Sequence, residues 1–117
     1  MKLNIISGLF LALVATVSAA TPGATTCLIR HPGIYTAIQD FCNKGNIMVP
    51  SKYALSGKKH GGMYINISGN CKPKQWVPRK WCTKHFMRLC ARSNDQGANR
   101  RKLGRNHCQT WLTWPMG

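Results

Sequence analysis

The chain has 117 residues and carries seventeen Lys and Arg against two Asp and no Glu, a formal charge of +15. Asp40 and Asp95 are its only acids, which argues against hydrolysis by paired carboxylates. Six cysteines in so short a chain speak for an oxidising compartment.

The N-terminus reads as a secretory signal peptide over residues 1–20. Lys2 is the basic n-region, Ile5 to Val17 the apolar h-region, and Ser18-Ala19-Ala20 the small-residue cleavage site. The apolar run is too short to cross ~30 Å of hydrocarbon, and the mature chain has no other candidate transmembrane segment. Removing it leaves 97 residues, enough for one domain. That part keeps sixteen of the seventeen basic residues against both acids, leaving +14. All six cysteines lie in it: Cys27, Cys42, Cys71, Cys82, Cys90 and Cys108. An even count implies three disulfides, whose pairing is open among fifteen connectivities. No Cys-x-x-Cys pair is present, so no metal or other cofactor is expected.

Residues 21–26 read as a flexible leader, and residues 27–117 as a single cysteine-rich basic domain. Cys27-Leu28-Ile29 is a short apolar run with the look of an edge strand. Pro32 suits a first helical position, and Ile34, Ala37, Ile38, Phe41 and Cys42 follow at helical spacing until Gly45. Ile47-Met48-Val49 reads as a strand and Gly57 to Gly62 as a turn. Met63 to Ser68 alternates apolar and polar like a half-buried strand. Trp76 lies in a loop between Pro73 and Pro78. A second helix follows, with Cys82, Phe86, Leu89 and Cys90 on one face and Lys80, Lys84, Arg88 and Arg92 on another. Its two cysteines stand about two turns, ~12 Å, apart and cannot bridge each other. Ser93 to Gly104 reads as a polar loop, and Cys108 to Trp114 as a last strand. The order predicts an α+β fold. It is a small disulfide-stapled split βαβ sandwich, an antiparallel sheet with two helices on one face.

The charge steers the protein toward polyanions. Lys72, Lys74, Arg79, Lys80, Lys84 and Arg88 lie close in sequence to Trp76 and Trp81. Cations interleaved with aromatics suit stacking on bases or sugar rings beside phosphate or uronate contacts. A solvated helix face beside core tryptophans is the plainer alternative. Arg100, Arg101, Lys102 and Arg105 form a second basic cluster, with proteolytic processing as its alternative, as at Lys58-Lys59. Asn66-Ile67-Ser68 is an N-glycosylation acceptor. No catalytic residues are assigned. The one enzymatic reading left open is a ribonuclease drawing on His31, His60, His85 or His107.

The signal peptide, the six cysteines, the order of helices and strands, and the Cys82-x7-Cys90 helix resemble the small cysteine-rich secreted proteins of filamentous fungi. Within that group, residues 27–114 look most like the killer-toxin-like effectors. The resemblance implies a compact α/β sandwich with an extracellular, virulence-related role toward a host or competing microbe. Together these readings predict a secreted, non-catalytic effector, monomeric and glycosylated. Its expected partner is an anionic polymer, a glycan or a host protein. A cationic toxin acting on anionic membrane surfaces and a secreted ribonuclease are the alternatives.

Overall fold

The computed structural model of the chain describes residues 21–116, and the expected signal peptide lies outside them. The first helix, α1, spans Ala24–Arg30, and α2 spans Pro32–Cys42. They are followed by β1 (Asn46–Val49), α3 (Lys52–Ser56), β2 (Lys58–His60), β3 (Met63–Gly69) and β4 (Gln75–Pro78). Then come α4 (Arg79–Ala91), β5 (Asn99–Leu103), a 3-10 turn (Arg105–His107) and β6 (Gln109–Pro115).

The α+β class with antiparallel strands and three disulfides is what the chain forms. Cys27-Leu28-Ile29, expected as an edge strand, is instead helical, and residues 24–26 of the expected flexible leader form its first turn. Only Cys27 of that run is buried, bonded to Cys90, while Leu28 and Ile29 face solvent. One anchored residue per turn satisfies a helix, where a strand would bury alternate positions. The Arg30 guanidinium adds a hydrogen bond of 2.8 Å to the Ala91 carbonyl at the end of α4.

The strands divide between two sheets. Four form an antiparallel sheet in the order β2-β3-β6-β5, and β1 pairs with β4 in a separate ribbon. Both β4 and β5 fall where the sequence predicts loop. Pro78 ends β4, where the strand turns directly into α4 and needs no further backbone donor. In β5 the three successive cations hide any apolar alternation, and backbone pairing with β6 makes the strand. Arg100, Arg101 and Lys102 suit this edge, because charge there deters a further strand from adding.

Both long helices cover the same face of the four-stranded sheet. Ile34, Ala37, Ile38, Phe41 and Cys42 of α2 are buried, as their spacing predicts. So are Cys82, Phe86, Leu89 and Cys90 of α4, with Met87. They meet Ile65 and Ile67 of β3 and Trp111 and Thr113 of β6, which register opposes in pairs. Phe86 is the pivot, its ring centroid 4.6 Å from Trp111 and 5.7 Å from Phe41. Gly57, which caps α3, lies so close to the Ile65 carbonyl that any Cβ there would overlap it.

The disulfides pin this arrangement. Cys27–Cys90 ties α1 to α4, Cys42–Cys82 ties α2 to α4, and Cys71–Cys108 joins the segment before β4 to the start of β6. Cys82 and Cys90 thus each take a distant partner, as their separation on one helix requires. The bridged residues lie 63, 40 and 37 positions apart. Loop-closure arguments give each bridge about 4 kcal/mol. Among the described residues no helix is long and apolar enough to cross a membrane.

Candidate anion-binding groove

The outward side of α4 carries Trp81, His85, Arg88 and Arg92 at successive turns, opposite its cysteines. This side, β4 and the β5–β6 turn enclose a groove of about 640 Å³. Lys72, Lys74 and Arg105 line it as cations, and Trp76, Trp81, His85 and Trp111 supply aromatic walls. Among the described residues no carboxylate lines it. Asp40 lies 3.9 Å from Lys58 and Asp95 3.6 Å from Arg30, so both acids serve cations elsewhere.

Two of the walls, Trp76 and Trp111, are held by hydrogen bonds. The indole Nε1 of Trp76 donates to the Gly45 carbonyl at 3.2 Å, leaving the ring 61% exposed. The floor is a chain of hydrogen bonds across three elements. Trp111 Nε1 donates to Gln109 Oε1 at 2.9 Å, and Gln109 Nε2 donates to Gln75 Oε1 at 2.9 Å. Gln75 also grips the Arg105 backbone, accepting from its N–H and donating to its carbonyl, both at 3.1 Å. Gly104 permits this packing, since a Cβ there would fall 2.6 Å from both glutamine side chains. Its positive φ of 82° suits glycine as well.

His85 sits between two indoles, stacked on Trp81 at 4.9 Å and meeting the Trp111 edge at 5.8 Å. Partial burial, and then the charges of Arg88, Lys84 and Arg101, hold its pKa below the ordinary imidazole value. Its ring is therefore largely neutral at pH 7, an aromatic surface ready to gain charge on acidification. His85 and Leu103 also border a smaller adjoining groove, where Arg88, Arg92, Arg100 and Arg101 gather. The cationic lining thus continues along α4 and β5.

The expected binding residues separate on this frame. Lys72, Lys74, Trp76 and Trp81 come together in the main groove and Arg88 in its extension. Lys84 places its ammonium 5.6 Å from the Trp81 ring centre. Arg79 is turned away, its Nη2 donating to the Asn43 carbonyl at 2.7 Å, and exposed Lys80 lines neither groove. Of the second cluster, Arg105 joins the main groove, Arg100 and Arg101 border the extension, and Lys102 lines neither. Gln75 and Gln109 carry no sequence signal. They stand 34 residues apart and meet only through the fold.

The histidines disperse. His31 joins α1 to α2 with its Nε2 buried and without a hydrogen-bond partner among the described residues. His60 is exposed in β2, and His107 is exposed beside a shallow hollow with Lys72, Arg105 and Asn106. Asn66, the glycosylation acceptor, is half-buried in β3, its Nδ2 donating to the Leu55 carbonyl at 3.1 Å. No group of three His, Cys, Asp or Glu side chains among the described residues is placed to hold a metal ion. Comparison with family models, curated proteins and solved structures finds no match.

Proposed function

We propose that the mature protein is a secreted, non-catalytic effector of the killer-toxin-like kind, which captures an anionic polymer or acidic glycan of a host or competitor cell. One observation carries this reading: Lys72, Lys74 and Arg105 share a groove with three indoles and, among the described residues, no carboxylate. All three cations are exposed, so an entering anion meets charge of one sign along the groove. The exposed rings of Trp76 and Trp81 give that ligand a surface for its own rings. Disulfides of this number in so small a domain fit an extracellular setting. A polyanion and glycan array, repeated over a salt titration, tests it. Retention should favour ring-bearing anions and fall with salt less steeply than for a featureless polyanion. Equal, wholly salt-sensitive binding of every polyanion would contradict a groove-based role.

A ribonuclease remains the second reading, favoured by one feature. His85 lies in the groove with its pKa lowered, so its imidazole is neutral and able to accept a proton at neutral pH, though as a weaker base than an ordinary histidine. RNA cleavage by the purified protein, abolished by His85→Ala, is what that reading requires.

A further inference from the structure

We propose that the face of the four-stranded sheet turned away from α2 and α4, which α3 borders along β3, is a second binding surface, one that takes single-stranded nucleic acid. Because α2 and α4 both pack on the side of Ile65, Ile67, Trp111 and Thr113, the alternate positions face the other way. These are Tyr64, Asn66 and Ser68 on β3 and Thr110, Leu112 and Trp114 on β6. Register adds Lys59, opposite Tyr64 on β2, and Arg100 and Lys102, opposite Leu112 and Thr110 on β5. Arg100 also borders the small groove at the strand edge.

The chemistry of this face is specific. Tyr64 and Trp114 are direct cross-strand partners on the two central strands, and Trp114 is 52% exposed. Adjacent strands lie ~4.8 Å apart, so the register makes the two residues neighbours on this face. The Tyr64 hydroxyl donates to the Leu55 carbonyl at 3.0 Å, which holds its ring in place. Exposed cations stand on both flanking strands: Lys59 on one side, Arg100 and Lys102 on the other. Among the described residues no carboxylate shares the face, since Asp40 lies in α2 and Asp95 in the α4–β5 loop. Two aromatic residues in register on adjacent strands, flanked by cations, match successive bases with phosphates outside them. A duplex hides its base faces and cannot use such rings.

This surface shares Arg100 with the small adjoining groove but none of the residues that line the main one. The test is fluorescence anisotropy of a labelled twelve-nucleotide oligothymidylate with the mature, disulfide-bonded protein. Asn66 lies on the same face, so the protein used carries no glycan. Trp114→Ala should weaken binding at least about fivefold, and Trp114→Phe should keep most of the affinity. Replacing Arg100 and Lys102 together with Ser should flatten the dependence of log affinity on log salt. The slope should fall by about 0.7 for each phosphate that is no longer neutralised. The Trp114 effect should persist when Lys72, Lys74 and Arg105 are replaced by Ser, which separates this surface from the groove. Unchanged affinity in Trp114→Ala would overturn the proposal, as would equal affinity for a duplex of the same length. An acidic oligosaccharide weakened by Trp114→Ala as much as the oligonucleotide would also overturn it.

Discussion

The two sides of α4 do opposite work. One side buries Cys82, Phe86, Leu89 and Cys90 and is bonded to both α1 and α2. The other carries Trp81, His85, Arg88 and Arg92 along two grooves that no acid lines among the described residues. Like charges along one helix face destabilise it by a few tenths of a kcal/mol per pair. Each disulfide contributes about 4 kcal/mol. The staples therefore outweigh the repulsion by roughly tenfold, and this margin lets a small domain keep an uncompensated cationic surface.

Breaking the stapled side should cost most. Replacing Cys42 and Cys82 together with Ala should lower unfolding stability by about 4 kcal/mol in denaturant titration. Groove affinity of the folded protein should stay unchanged, and a loss of affinity without loss of stability would invert the roles of the two sides. Next comes the groove floor. Gln109→Leu removes the acceptor of the buried Trp111 N–H, and should destabilise by about 1–3 kcal/mol. Double-mutant cycles with Gln75→Leu should show the two changes to be non-additive, because these side chains bond each other.

The smallest effect is a pH dependence of opposite sign for folding and for binding. His85 has its pKa lowered from 6.5 by partial burial and by Arg88, Lys84 and Arg101. The folded state thus binds this proton less readily than the unfolded chain. Its contribution to stability is complete above pH 6.5 and is lost as pH falls from there through the lowered value. Anion binding should strengthen over the same interval, as the ring gains charge inside the groove. His85→Gln should remove both trends, seen by thermal melts and by binding isotherms across pH 4–7.

The sequence exposed the stapled side of α4 more fully than its open side. Cys82, Phe86, Leu89 and Cys90 repeat at helical spacing, so their burial follows from periodicity alone. The same holds for Ile34, Ala37, Ile38 and Phe41 in α2. In α1 local preference misleads, because the β-branched Ile29 follows Leu28 in what looks like a strand. The Cys27 staple and the Arg30 bond to Ala91 decide for helix. In β5, Arg100-Arg101-Lys102 gives no alternation to read, and only pairing with β6 makes it a strand. Lys72, Lys74, Trp76 and Trp81 were legible as a site because they are near neighbours in sequence. Arg105 belonged, on sequence, to a separate cluster, and Gln75, Gln109 and Trp111 to none. Nothing local brings residues 30 or more positions apart to one groove.

The most direct measurement is calorimetric titration of a polygalacturonate oligomer, whose uronate rings combine charge with stackable faces. Wild-type protein is compared with Lys72→Ser/Lys74→Ser/Arg105→Ser at two salt concentrations. The triple variant should fold with unchanged melting temperature, lose at least about tenfold in affinity, and show a weaker salt dependence. Equal affinity in the two proteins would place the anion elsewhere on the charged surface and contradict the groove as the site.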